Sequence, residues 1–123
     1  DLTRRDLQAA AKARGLPWDI AKGFDQSAPV SELVPAAAVG ALAPRTLSLE
    51  VKGERRQQAT LDQMIWDVPE ILHELSSLYA LRAGDLVFMG TPAGVAALRP
   101  GDACVARLDD LVELRCHIGA PAA

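Results

Sequence analysis

Aromatic side chains are scarce in this chain. Two Trp, two Phe and one Tyr among 123 residues leave Leu, Val, Ile and Ala to build the interior, and this length supports one domain with a modest core. Cysteine is scarcer still: Cys104 and Cys116 are the only two, too few for a disulfide-stapled scaffold. Reduced, buried thiols are the expectation, although a hairpin centred near Asp110 would set them opposite each other. Basic charge is not in excess, with 13 Lys and Arg against 16 Asp and Glu for a net charge of −3. That excludes an electrostatic footprint for nucleic acid, and no Lys/Arg cluster marks a membrane surface. No apolar run reaches the length of a membrane span and no signal-peptide pattern is present; a cytoplasmic location is the expectation for the full protein. An anionic ligand would have to be met by local rather than global charge.

Chemistry-bearing residues are concentrated in the first 25 positions, where Asp1-Leu2-Thr3-Arg4-Arg5-Asp6-Leu7-Gln8 is followed by Leu16-Pro17-Trp18 and Ala21-Lys22-Gly23-Phe24-Asp25. Thr3 reads as a helix N-cap with Asp6 three residues on, and Gly15 before Pro17 reads as a stop, so a helix is expected over residues 4–14. On it Arg5, Gln8 and Lys12 follow at i+3 and i+4 spacing and share a face, with Asp1 just beyond the N-terminal end on the same side. Each has an ordinary reading on residue type alone. Asp1 can be a flank of the cap, Arg5 and Gln8 a solvated helix face, and Lys22 a lysine lying along Trp18.

Further on, Ser27 to Arg45 has no sustained period and is expected to be a connecting loop with one short strand near Ser31–Val34. Thr46 to Lys52 alternates, with Leu47, Leu49 and Val51 on one face, which predicts a half-buried strand; Gly53 then turns the chain into a second strand around Arg55–Ala59. Pro69 is placed to be the first residue of a helix reaching about Tyr79, with Ile71, Leu72, Leu75, Leu78 and Tyr79 as its apolar stripe. Leu81-Arg82-Ala83-Gly84-Asp85 and Leu98-Arg99-Pro100-Gly101-Asp102 read as two similar turns, each feeding a strand. The first would lead into a doubly buried strand at Leu86–Met89, ending in Gly90-Thr91-Pro92, where a glycine lets the backbone approach a ligand closely. Ala103–Leu108 and Val112–Ile118 complete a hairpin around Asp109-Asp110. Strands outnumber helices, and an α+β arrangement follows. The two histidines, His73 and His117, lie outside the motif blocks, and neither is assigned as a base.

In order along the chain, Asp1 to Gln8, Leu16-Pro17-Trp18, Lys22 to Asp25, Leu49-Glu50-Val51-Lys52-Gly53-Glu54-Arg55-Arg56-Gln57, Leu81 to Val87, Gly90-Thr91-Pro92-Ala93-Gly94-Val95 and Leu98 to Asp102 resemble the fumarylacetoacetate hydrolase family, most of all its small acylpyruvate and fumarylpyruvate hydrolase members. Any one block alone is weak; the D-x-T-x-R-D-x-Q block together with G-T-P-x-G-V is specific. Met89 stands where that family often has Thr, and Ala96 where it often has Gly.

The resemblance implies the mixed β-sandwich roll of these enzymes, present here only in part. It implies Asp1 as a metal ligand, with Mg²⁺ (or Mn²⁺ or Ca²⁺) as the cofactor. It implies Arg5, Gln8, Lys22 and Thr91 as substrate-binding residues on one small chelated 2-oxo acid, with Lys22 also acting in catalysis by stabilising a developing enolate. A homodimer is implied too. The family's remaining metal carboxylates form a Glu-x-Glu pair, whereas Glu32, Glu50, Glu54, Glu70, Glu74 and Glu113 include no two at that spacing. The expectation is therefore that residues 1–123 are the C-terminal portion of a single catalytic domain whose upstream half, with its general base, is absent. The full protein would be a metal-dependent C–C bond hydrolase or decarboxylase of acylpyruvates or 2-oxo diacids such as fumarylpyruvate. The alternatives are an isomerase of muconate-type 2-oxo diacids and a non-catalytic half-domain serving folding or dimerisation.

Overall fold

The computed structural model describes residues 1–120. They fall into two compact units, one spanning Asp1–Val30 and the other running from Ser31 onward.

In the first unit, α1 spans Arg5–Ala13 and α2 Asp19–Lys22. The N-cap of α1 is Arg4, with no side-chain cap hydrogen bond, so Thr3 does not play the capping role expected of it. The residues before the helix are drawn instead into tertiary backbone bonds: the Leu2 N–H donates to Ser27 O at 2.7 Å and the Arg4 N–H to Ala21 O at 3.0 Å. These bonds fix the path of the chain into the helix. The stop at Gly15 is as expected. Gly15 N–H donates to Lys12 O at 3.1 Å and Leu16 N–H to Ala11 O at 2.9 Å, the paired bonds of a Schellman ending.

In the second unit the expected strand at Ser31–Val34 is absent. Behind Pro35 the chain makes one helical turn, α3, at Ala36–Val39, where an alanine run following a proline suits a helical start. Four strands follow: β1 Thr46–Val51, β2 Glu54–Thr60, β3 Ala103–Leu108 and β4 Val112–His117. They form one sheet in the order β2-β1-β3-β4, antiparallel at every pairing. β1 and β2 are joined through Lys52 and Gly53, both at positive φ (53° and 80°), the two-residue turn whose twist matches that of its strands. The alternation of β1 is less clean than expected, because Ser48 is buried beside Val51. Glu50, another residue of the outward face, binds Arg55 of β2 and Arg107 of β3, and Arg107 continues to Glu113 of β4. Guanidinium hydrogen bonds, from Arg55 and Arg107 to Glu50 and from Arg115 and Arg107 to Glu113, hold both carboxyls below the usual carboxylate range.

Helix α4 runs over Val68–Leu78, one residue earlier than expected, with Asp67 as N-cap. Asp67 and Glu70 form a reciprocal capping box, and Pro69 lies within the first turn; Pro is tolerated there because the first N–H groups have no intrahelical partner. Its apolar stripe forms as a pattern but is not covered: no residue of α4 is buried, and Leu78 is 68% exposed. Leu86–Met89 has no regular secondary structure and Leu86 and Phe88 are exposed, contrary to the expected buried strand. A strand needs a neighbour's N–H and C=O groups, and none of the four strands pairs with this segment. Among the described residues the buried apolar set is Ala11, Ala21, Val51 and Cys104, and no large side chain is fully buried.

The two L-R-x-G-D turns are built alike. Asp85 Oδ2 accepts from Arg82 N–H at 2.7 Å and Asp102 Oδ2 from Arg99 N–H at 2.9 Å, while each aspartate N–H returns to the same arginine's carbonyl. Gly84 and Gly101 sit at φ 99° and 89°, the third position of a type II turn, which requires positive φ. Only the second turn feeds a strand of the sheet. There Asp102 is buried, and its Oδ1 lies 2.6 Å from the Lys52 ammonium. The Lys52 hydrogen bond first, and the Arg99 N–H second, push the Asp102 carboxyl below its usual range. A carboxyl whose folded pKa is depressed adds stability that is complete above the unfolded value of about 3.9 and lost as pH falls through the folded value. The stability advantage of the native protein over Asp102→Asn, measured by chemical denaturation, is therefore expected to be full at neutral pH and to shrink below about pH 4. A difference that stayed constant down to pH 2 would exclude this linkage.

The hairpin of β3 and β4 sets Cys104 directly opposite Cys116, both as free thiols. Burial, and then the neighbouring Cys116, push the Cys104 thiol up, so it stays protonated and unreactive at neutral pH. Among the described residues no helix is long and apolar enough to cross a membrane.

Candidate functional site

Four of the five expected site residues belong to the first unit. The backbone bonds from Leu2 to Ser27 and from Arg4 to Ala21 fold the segment before α1 back along α2. That places Asp1 against Lys22, with Oδ2 and Nζ 2.8 Å apart and each side chain about one-third exposed. A carboxylate and an ammonium 21 residues apart in sequence are thus paired by fold rather than by helical spacing. On α1, Arg5 Nη1 donates to Gln8 Oε1 at 3.1 Å and Gln8 is buried. That bond occupies the Gln8 carbonyl and leaves its NH₂ as the group it can offer a ligand.

The aromatic rings on either side of Lys22 are engaged by other cations. The Arg4 guanidinium lies 4.3 Å over Phe24 and the Lys12 ammonium 4.7 Å over Trp18, contacts worth about 0.5–1 kcal/mol each at exposed positions. The Lys12 ammonium is therefore engaged by Trp18. The lysine lying on Trp18 is Lys12, and Lys22 is held by Asp1.

Thr91 belongs to the second unit and is exposed. Its Oγ1 accepts a hydrogen bond from Gln57 Nε2 of β2 at 2.9 Å, and the same amide donates to Pro92 O at 2.7 Å. The loop meets β2 again at the bulge, where Leu49 pairs with Gln57 and Glu50 with Arg55, leaving Arg56 unpaired. A Cβ at Gly94 would overlap the Arg56 carbonyl oxygen, whereas nothing among the described residues comes within 4 Å of one at Gly90. The chain's own close backbone approach is thus at Gly94. Sequence reasoning quoted Gln57 within a motif and gave it no role. Its signal was a carboxamide ending a strand block, which does not reveal a partner 34 residues away.

Among the described residues no three His, Cys, Asp or Glu side chains converge on a point that could hold a metal ion. Asp1 is one carboxylate already neutralised by Lys22, so the residues present do not make up a Mg²⁺ site by themselves, since Mg²⁺ demands an octahedral set of oxygens.

Comparison with known proteins gives these positions their context. The Fumarylacetoacetate (FAA) hydrolase C-terminal family matches residues 1–119, and the chain belongs to that family. It is 40% identical to the fumarylpyruvate hydrolase of Ralstonia sp. over 97% of this chain and 62% of that protein. It is 44% identical to the oxaloacetate tautomerase YcgM of Escherichia coli (strain K12) over 89% of this chain and 50% of that protein. Among solved structures, the fumarylpyruvate hydrolase of Pseudomonas aeruginosa in complex with Mn²⁺ and pyruvate superposes with a TM-score of 0.90 and 45% identity, covering 97% of this chain and 51% of that one. The chain spans about half the length of most of these relatives.

Proposed function

We propose that this chain is the C-terminal portion of a divalent-metal-dependent enzyme acting on a 2-oxo acid, with Asp1, Arg5, Gln8 and Lys22 serving its small anionic substrate and Thr91 a further substrate-binding residue. The observation that carries the proposal is the Asp1–Lys22 pair at 2.8 Å, together with the Arg5–Gln8 pair in the same unit, in the block where the chain matches its family. A carboxylate for a cation, an ammonium for a developing negative charge and two further polar hands suit a chelated 2-oxo acid. The P. aeruginosa relative, crystallised with Mn²⁺ and pyruvate, supports a divalent cation and a short 2-oxo carboxylate. Mg²⁺ is the preferred ion in this reading, with its other ligands and the general base contributed from outside residues 1–123. When bound, such an ion neutralises the substrate's oxygens.

Relatives of similar identity are named hydrolase and tautomerase. Both reactions pass negative charge to the 2-oxo oxygen as an enolate, which is the charge Lys22 would serve. Hydrolysis of an acylpyruvate such as fumarylpyruvate is the preferred reading. The uncovered stripe of α4 and the 97% exposure of Ile65 support a chain that packs against more protein, in keeping with the β-sandwich roll proposed for the complete domain and with a homodimer.

In the experiment, the complete protein is expected to turn over fumarylpyruvate or oxaloacetate, to lose that turnover on chelation, and to regain it with Mg²⁺ or Mn²⁺. Residues 1–123 alone are expected to show none, because one carboxylate does not offset the dehydration of Mg²⁺. A complete protein without metal-dependent turnover of any 2-oxo acid would leave the non-catalytic module as the reading.

A further inference from the structure

We propose that Gln57 is a positioning residue for the anion subsite at Thr91, and that its amide fixes the Thr91 hydroxyl as a hydrogen-bond donor. The inference rests on the reading of Thr91 as a substrate contact and says how that contact is made selective. Gln57 Nε2 lies 2.9 Å from Thr91 Oγ1, 2.7 Å from Pro92 O and 3.5 Å from Ala93 O. Two of these three atoms are backbone carbonyl oxygens, which can only accept. The amide must therefore turn its NH₂ to the loop, since the flipped amide would set Oε1 against both carbonyls. With two hydrogens available, one serves Pro92 O and the other Thr91 Oγ1. A hydroxyl whose oxygen accepts from an N–H keeps its own proton for a different acceptor. Thr91 is exposed, so that proton is available to a ligand oxygen. A carboxylate complements it, and a donor such as an ammonium does not.

The strand holds this arrangement in place. Gln57 directly follows Arg56, the residue left unpaired by the β2 bulge, and bulges re-aim the side chains beside them. The Arg56 carbonyl packs against Gly94, so the Thr91–Gly94 loop touches β2 at two points: a side chain that orients the hydroxyl and a backbone contact that sets the distance.

The test uses the complete protein loaded with Mn²⁺ and oxalate as the probe anion, titrated calorimetrically at pH 8 and pH 5.5. Thr91→Val and Gln57→Leu should each weaken oxalate binding about tenfold or more, the scale of one hydrogen bond to a charged group. The double variant should bind no worse than Thr91→Val alone, because Gln57 acts only through that hydroxyl. Gln57→Glu should be the weakest binder at pH 8, where its carboxylate accepts the Thr91 proton. Set against the Pro92 and Ala93 carbonyl oxygens, which favour its protonated form and raise its pKa, that carboxylate should take up a proton as pH falls, so the deficit relative to the native protein should narrow at pH 5.5. The Gln57→Leu deficit should stay the same at both pH values. A merely structural role would give Gln57→Leu and Gln57→Glu deficits that do not differ in pH dependence and a double variant whose losses add, and either result overturns the proposal. Native protein that binds oxalate with Gln57→Leu unaffected overturns it alone. Native protein that binds no oxalate removes the functional reading of Thr91 and this inference with it.

Discussion

Lys22→Met in the complete protein is expected to lower kcat about a hundredfold or more while moving the apparent KM little. Lys22 has one charge partner in the first unit, Asp1 at 2.8 Å. The methionine keeps the length and apolar stem of the side chain and removes only the ammonium. Charge that grows on the substrate oxygen as the reaction proceeds is larger in the transition state than in the bound substrate, so a cation facing it lowers the barrier more than it tightens binding. Loss of one such preorganised contact is typically worth about 10²–10³ in rate. Steady-state kinetics on the substrate that the complete protein turns over, with bound metal quantified in both proteins, checks the expectation. Equal metal content with kcat within a few-fold of native would remove Lys22 from the chemistry. Lost metal would instead assign the residue to holding Asp1 in place.

What the sequence made legible divides along the line between local and long-range causes. The strands at Thr46–Val51 and Ala103–Leu108, the turn at Lys52-Gly53, the helix around Pro69 and the likeness of the two L-R-x-G-D turns all follow from residues within a few positions of one another. The misses required partners far away. Thr3 does not cap α1, while its neighbours Leu2 and Arg4 bond to Ser27 and Ala21, and Leu86–Met89 lacks a pairing neighbour among the four strands although its apolar run is what a buried strand would show. The site divides the same way. Asp1, Arg5, Gln8, Lys22 and Thr91 could be named because they fall in motif blocks. That Lys12 rather than Lys22 sits over Trp18, and that Gln57 holds Thr91, depends on which of several chemically equivalent groups reaches which. No residue pattern encodes that choice.

Gly94→Ala is expected to be the most damaging small substitution in the second unit. Two independent costs meet there. Gly94 has φ 100°, a conformation that costs a residue with a Cβ roughly 1–3 kcal/mol. The added methyl would also overlap the Arg56 carbonyl oxygen, a backbone atom that cannot rotate away as a side chain would. Relieving that overlap must move either the bulge of β2 or the loop carrying Thr91, and overpacking of this kind typically costs a further 1–3 kcal/mol or so. A total of about 2–6 kcal/mol would be a large share of the stability of a typical domain. Gly90→Ala separates the two contributions, because Gly90 shares the backbone cost at φ 93° but, among the described residues, has no atom within 4 Å of the new methyl. In denaturant unfolding of the complete protein Gly94→Ala should therefore be less stable than Gly90→Ala, by the contact with Arg56 alone. Because the loop that must shift carries the Gln57–Thr91 bond, Gly94→Ala should also weaken anion binding in whatever folded protein remains. Equal stability of the two variants would mean that the loop does not press on the bulge of β2.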